Sequence, residues 1–475
     1  MKFYICILSA LLVFFSCKND ANTNESATAY LGGEIINPVH NFIQLYKSEK
    51  IVDTIKLDGR NRFMYKIKNL EAGLYTFKHG GEFQVILLEP NDSLLFRLNT
   101  LDFDESLVYT GRGSKKNNYF INEFLNNEKI EKKVYEYCQL NSESYITKID
   151  SIQDIKTKKL NKFIEKYNPS DLFKDIAEIN KNYGYYFSKE VYPLWHYTKN
   201  KRQVFDALPN DFYNYRKHID YNNERLTSNI IYNTYLRSNF NNMALNKHYS
   251  HIESDQKYND KMFFCYNLDR LSLVDSLVSN KNIKDELLHH FTFTYLAKSR
   301  NSEYNNMVLN SYLEKSTNES NKKKVTRFAN SLKNLAEGLE IPNVKVLDYG
   351  NTEHDITAII SSPTVISFWS HTFYDHFKES HHKVNELKEK YPEIKFISIN
   401  IDNYGLEKSK ISLKNNRFSC NNEYYFKEPK KSIEVFAIHP MNKTLIINKH
   451  KKIVNSNTNM FSSKFEEQLL GLLNR

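Results

Sequence analysis

The sequence predicts a multi-domain α+β chain: an N-terminal antiparallel β-sandwich or barrel, a helical middle domain and a C-terminal α/β domain. Three observations carry this. At about 100–200 residues per domain, 475 residues correspond to two to four domains. Apolar residues alternate between close turns up to residue 111, recur at helical spacing from Asn117 to about Glu337, then form short continuous runs. The 33 Tyr and 31 Phe supply material for several cores, which excludes disorder and collagen. Only 13 residues are Gly, few for phosphate-cradling loops, which argues against a nucleotide enzyme. The five cysteines, Cys6, Cys17, Cys138, Cys265 and Cys420, are too few for a disulfide scaffold and contain no C-x-x-C pair. Whether any of the last three pair is left open by the sequence.

The N-terminus reads as an address. Met1-Lys2 precedes an apolar run, Phe3 to Phe15, too short to span a bilayer. Ser16-Cys17 and an abruptly polar stretch follow. This resembles a bacterial lipoprotein signal, departing from it at Phe14, where Leu is usual. The resemblance implies a signal peptide over 1–16, lipid on Cys17 and a tether over 17–28. The expected location is the cell envelope, on the periplasmic side or the outer membrane, with the leaflet open. No other apolar run approaches 18 residues. The formal net charge is +10, but basic and acidic residues are interspersed. The longest basic run, Lys322-Lys323-Lys324, reads as a solvated helix face, so no nucleic-acid partner is expected.

Residues 29–111 read as the β-domain. Ile51–Leu57 is β-rich and turns at Asp58-Gly59; Arg62–Lys68 continues with period two. Gly73–Lys78 ends at His79-Gly80-Gly81, Phe83–Glu89 closes at Pro90-Asn91-Asp92, and Ser93–Leu98 follows. The acids Asp102, Asp104 and Glu105 have no EF-hand spacing and read as a solvated loop.

Residues 112–337 read as a bundle of about eight helices. Ile146, Ile149, Ile152 and Ile155 recur at helical spacing, and Pro169-Ser170-Asp171 is a start signal. Tyr232, Tyr235, Phe263 and Phe264 read as core.

Residues 338–475 return to α/β. Val344–Asp348 is a first strand, and Thr364–Trp369 is a continuous apolar strand of a buried central position. A helix from about Tyr374 to Tyr391 and a second central strand, Ile394–Ile401, follow. Thr444–Asn448 and Lys452–Val454 form a hairpin, and Ser463-Lys464-Phe465-Glu466 reads as a capping box for a last helix.

The order Gly338-x-x-Ile341-Pro342, then Pro363–Ser370, then Ile397–Asp402, then Thr444–Val454 resembles the thioredoxin superfamily, nearest to the membrane-anchored TlpA-like thiol–disulfide oxidoreductases. Asp53-Thr54-Ile55, Gly73-Leu74-Tyr75 and Glu89-Pro90-Asn91-Asp92-Ser93 resemble a β-domain that often precedes such modules in exported lipoproteins.

The resemblance implies two cysteines at the start of the helix after Phe-Trp. The helix N-terminus lowers the first thiol's pKa, and the second resolves the mixed disulfide. Counting from Trp369, these positions hold Phe373 and His376. The family's cis-proline falls by the same counting on Asn442, two residues after Pro440, so this proline too is expected to be lost.

Cys420 is the one Cys of this region and reads as a small hydrophobe on a loop. His371, His376, His381 and His382 crowd the same segment. Spacings of five turn successive imidazoles about 140° apart on a helix, so no metal site is expected. Asp375 is explained by capping and by the helix dipole.

The reading is a lipid-anchored envelope protein with a thioredoxin-like domain that lacks redox cysteines. It needs no cofactor and binds or scaffolds an envelope protein, peptide or glycan through a groove of Trp369, Phe373, Tyr374, His376 and Asn442. The alternatives are a TlpA-like thiol–disulfide oxidoreductase and a purely structural module.

Overall fold

The computed structural model describes residues 27–47, 50–198, 201–251, 260–403 and 406–473. The predicted signal peptide and Cys17 lie outside the described residues.

The N-terminal region contains β1 (Ala29–Ile36), β2 (Phe42–Lys47), β3 (Lys50–Lys56), β4 (Arg62–Ile67), β5 (Gly73–His79), β6 (Glu82–Leu88), β7 (Ser93–Asn99) and β8 (Val108–Arg112). They form two sheets, β4-β1-β7-β8 and β3-β2-β5-β6. Period two decides which face is buried: on β7, Leu94, Phe96 and Leu98 turn inward while Ser93, Leu95 and Arg97 turn outward. Phe96 stacks on Phe77 of the opposite sheet at 4.7 Å, so the two sheets share one core as a sandwich. The expectation of a wholly antiparallel sandwich fails at one pair, because β1 and β7 run parallel, Tyr30 opposite Ser93. Parallel neighbours require a crossover, which here is the long connection over residues 37–92 that visits the second sheet, returns to the first as β4 and visits the second again.

The sandwich grips the first helix, α1 (Ser114–Tyr137), through three consecutive residues. Lys116 Nζ lies 2.6 Å from Glu89 and 2.7 Å from Asp92, both in the turn after β6. The Asn117 carboxamide accepts from Leu87 N–H (2.8 Å) and donates to Leu87 C=O (2.9 Å), on β6. Asn118 does the same to Tyr109 of β8, at 2.9 and 2.8 Å. Gly113, at φ 92°, makes the approach possible: a Cβ there would lie 2.6 Å from the Asp92 carboxylate.

Beyond α1 come α2 (Ser142–Tyr167), α3 (Asp171–Trp195), α4 (Lys201–Asp206), α5 (Ile230–His251), α6 (Asp260–Leu277), α7 (Lys281–Lys298), α8 (Ser302–Lys315) and α9 (Glu319–Asn334). That is nine among the described residues, against about eight expected. Short polar side chains start many of them. Asn141, Ser170, Asn280, Asn301 and Asn318 each accept from a backbone N–H of the first turn. Tyr232, Tyr235 and Phe264 are buried core residues and Phe263 packs against them.

The C-terminal region contains β9 (Lys345–Asp348), β10 (Glu353–Asp355), α10 (Ile356–Ile359), β11 (Thr364–Trp369), α11 (Tyr374–Lys390), β12 (Lys395–Asn400), α12 (Leu406–Asn415), β13 (Glu423–Phe426), α13 (Pro429–Val435), β14 (Thr444–Ile447), β15 (Ile453–Thr458) and α14 (Phe465–Leu473). The sheet order is β10-β9-β13-β12-β11-β14-β15. β11 and β12 are parallel across α11, whereas β14 returns antiparallel to β11 and β15 to β14. All six residues of β11 are buried, as a continuous apolar run requires for a strand covered on both faces. One face, with Val365, Phe396 and Ile446, packs on Val384 and Leu387 of α11 and Leu469 and Leu472 of α14. The other, with Ile366, Phe368 and Ile399, joins the core containing Phe291 and Phe328 of the helical region. A parallel βαβ unit followed by an antiparallel hairpin and a closing helix is the arrangement that the thioredoxin resemblance implies. The capping-box reading of Glu466 is corrected: its carboxylate accepts from Tyr391 Oη at 2.8 Å and pairs with Lys390, which ties α14 to α11.

Candidate functional site

β11 delivers the chain to the start of α11. Phe373 occupies the N-cap (φ −103°, ψ 69°) without a side-chain cap, and His376 is the third helical residue. The two positions that the resemblance assigns to cysteines therefore do stand at a helix N-terminus. The loop between strand and helix is tied down by Asp402. Its Oδ1 accepts from Ser370 Oγ at 2.5 Å, and its Oδ2 accepts from His371 N–H at 2.6 Å and Asn400 Nδ2 at 2.9 Å. Ser370 Oγ also lies 2.7 Å from Thr372 Oγ1.

Trp369 does not line an open surface, because its side chain is 1% exposed. Its indole Nε1–H donates to Glu423 Oε2 at 3.2 Å. Glu423 is itself 3% exposed, and the imidazole of His381 lies nearby, its Nε2 3.5 Å from the same oxygen. That is within ion-pair range but long for a hydrogen bond. His381 Nδ1 is 2.7 Å from Phe377 C=O, which fixes the proton there, and the ring stacks on Phe418 at 4.8 Å. A buried carboxylate bonded to an indole closes the floor of the site, and nothing in the sequence marks it beyond Glu preceding Tyr424-Tyr425-Phe426.

Phe373 is 51% exposed and Tyr374 39%, their rings at the surface of the first turn. Tyr374 Oη donates to Asn416 Oδ1 at 3.1 Å. His376 is half-buried with its ring 6.3 Å from that of Phe461, which is 41% exposed. Burial pushes the His376 pKa down, with Glu379 opposing. The four histidines go to separate tasks: His371 Nδ1 meets Ser412 Oγ at 2.6 Å, and His382 meets the edge of the Phe418 ring. Among the described residues no group of three or more His, Cys, Asp or Glu side chains is placed to hold a metal ion.

The cis-proline expectation is corrected. The His439-Pro440 peptide bond is cis, and the loop between it and β14 is longer than the count assumed, so Asn442 falls in that loop. Asn442 is half-buried, and its carbonyl accepts from Thr444 Oγ1 at 3.4 Å. Sequence reasoning also missed Lys443 beside it. This side chain is 2% exposed, its Nζ donates to Ala437 C=O beyond the end of α13 at 3.0 Å, and burial pushes its pKa down to about 7. His439 packs edge-on against Phe293 of the helical region at 4.8 Å.

The loop before α11 is covered by the sandwich. A Cβ on Gly81, in the β5–β6 turn, would lie 3.1 Å from Thr372 C=O. Lys408 of α12 donates to Val39 C=O at 2.9 Å, and Val39 N–H donates to His79 Nε2 at 2.9 Å. Burial pushes His40 down to about 4, and Lys408, His79 and His371 around it act in the same direction. The site is thus flanked by the sandwich on one side and the helical region on the other, leaving Phe373 and Tyr374 at the opening.

Cys138, Cys265 and Cys420 are free. Cys420 is exposed on the loop before β13, and burial and Glu423 push its thiol up, away from the thiolate. Among the described residues no helix is long and apolar enough to cross a membrane.

No protein-family model matches the chain, and no curated protein does so. Among solved structures it is similar to a thioredoxin-like protein from Bacteroides caccae (13% identity, TM-score 0.33, covering 57% of this chain and 93% of that one). It is also similar to a thiol-disulfide oxidoreductase from Bacteroides fragilis (14%, TM-score 0.25, 28% of this chain and 98% of that one). A third is the thioredoxin domain of a thiol-disulfide oxidoreductase from Bacteroides vulgatus (11%, TM-score 0.25, 29% and 97%).

Proposed function

We propose that the protein is a lipid-anchored cell-envelope protein, tethered through Cys17. Its thioredoxin-like domain is a non-catalytic docking or scaffold unit for an envelope protein, peptide or glycan. One observation carries this reading. The helix start that would hold the reactive pair holds Phe373 and His376, and the loop before it is bonded to Asp402 and covered by the Gly81 turn. A thiol–disulfide exchange needs a thiolate at that point, and no sulfur stands there. The exposed aromatic side chains Phe373 and Tyr374, with Phe461 beyond His376, offer contact area of the kind that docks partners.

The test uses the chain without residues 1–17, mixed with insulin and dithiothreitol. Insulin reduction at the dithiothreitol background is the expected result. Turnover above background that vanishes in Cys420→Ser sinks the reading. In cells, labelling with an alkynyl fatty acid is expected to disappear in Cys17→Ser, and persistence of the label removes the anchor.

A further inference from the structure

The helices α1, α2 and α3 meet at two apolar clusters. One, with Phe163 and Phe173, lies near the sandwich, and the other, with Val134, Tyr145 and Tyr192, lies at the far end. Between them is a cavity of about 430 Å³, in the range of small-molecule sites. On α1 its lining runs from Tyr119 to Val134, about 22 Å at 1.5 Å per residue, so the space is elongated. The walls are mostly aliphatic and aromatic, among them Phe124, Ile130, Ile149, Ile152 and Phe187.

One cation stands midway along this slot. Lys156 Nζ donates to Asn127 Oδ1 at 2.6 Å, which uses one of its three N–H donors. Among the described residues no carboxylate forms an ion pair with it. Glu123, the nearest acid to act on it, pairs with Lys159 at 2.5 Å. Opposite Lys156 is Gly184 of α3, where a Cβ would lie 3.9 Å from Nζ. The missing side chain leaves room beside the ammonium. An ammonium in apolar surroundings with donors left over is costly unless an anion completes it.

We propose that this cavity binds a medium-chain fatty acid, with the carboxylate on Lys156 and Asn127 and the acyl chain running between Ile130, Ile149 and Phe187. The direction follows from the lining. Toward the sandwich the walls carry Glu82 and Asp104, whereas beyond Asn127 the α1 wall carries Ile130 and the buried Val134, with Glu128 and Glu131 beside them exposed. The site is separate from the start of α11 and does not depend on what docks there.

The test is calorimetry on the chain without residues 1–17, which keeps every described residue, with dodecanoate, its methyl ester and dodecylamine as probes. Saturable one-to-one binding of dodecanoate is expected, at least tenfold tighter than either of the other two. Lys156→Met is expected to weaken dodecanoate binding by about ten- to a hundredfold, the worth of a charge-assisted hydrogen bond, and to leave the methyl ester unchanged. Gly184→Leu, which fills the space beside Nζ, is expected to abolish binding. Absence of saturable dodecanoate binding overturns the proposal, as does equal affinity for dodecylamine. If Lys156→Met fails to fold, the comparison of the three probes on the unaltered chain decides alone.

Discussion

The start of α11 and the middle of α1–α3 solve opposite problems with buried polar groups. In the loop before α11 the polar groups are spent inside the protein. Ser370 and His371 N–H are bonded to Asp402, Trp369 is bonded to Glu423, and what faces outward is aromatic. Between α1 and α3 the wall is aromatic and aliphatic, and the polar group with donors in hand faces inward. The buried Lys443 and the half-buried Lys156 make the same contrast. Lys443 closes on a carbonyl beyond the end of α13 in a filled site, whereas Lys156 faces an open one. A site whose outline resembles a reactive centre has been sealed, while a region without such an outline keeps unused bonding capacity.

The largest effect that would break this comparison is restored chemistry at α11. In Phe373→Cys/His376→Cys two thiols stand at the N-cap and third position, where the helix dipole favours the thiolate. Dithiothreitol-dependent insulin reduction is expected to rise at least tenfold over the unaltered chain. No rise would mean that the covering turn at Gly81, and not the missing sulfur, blocks the site.

Next in size is stability. Glu423→Ala leaves the Trp369 indole N–H buried without its acceptor, and is expected to cost about 2 kcal/mol in urea denaturation. Lys156→Met removes a half-buried cation that has no ion-pair partner among the described residues, and is expected to be neutral or stabilising in the same measurement. Equal losses would erase the distinction between a sealed and an open site.

The smallest effect is on pH. His40 has a pKa of about 4 in the docked sandwich, against an ordinary value of 6.5. Between these values the undocked state holds a proton that the docked state does not. The contact therefore weakens as pH falls from about 6.5 toward 4, and this group contributes nothing further above 6.5. His79 and His371 are lowered in the same direction, while Glu82, raised by burial and by Asp104 and Asp375, opposes them. Amide protection in residues 39–42 and 79–82, taken relative to the unfolded chain at the same pH, is expected to fall at pH 5 relative to pH 7.5, and the difference to shrink in His40→Gln. A pH-independent protection would show that charge does not govern the docking.

Much of the frame was legible in sequence because it rests on period and run length. Thr364–Trp369 had to be central because a strand that is apolar on both faces needs cover on both. Counting from Trp369 put Phe373 and His376 at the helix start because that loop has the expected length. The same counting failed at Pro440, where the loop is longer, and a count cannot detect an insertion. Alternation marked Arg62–Lys68 and Ser93–Leu98 as strands but not that β7 lies parallel to β1, since pairing is set by the path of the chain. Lys156, Lys443 and Glu423 were illegible for a common reason. A charged residue in sequence reads as exposed, and only the packing of distant elements buries it.

The adjacent carboxamides of α1 have a further consequence. β6 and β8 are each the last strand of their sheet, and such edges recruit strands from other chains. Asn117 and Asn118 offer each edge a donor and an acceptor in the sense of a peptide unit, occupying the bonds of Leu87 and Tyr109. Both edges are thus guarded by one turn of one helix. Loss of α1 would bare them together, so the sandwich's resistance to aggregation is borrowed from a segment outside it.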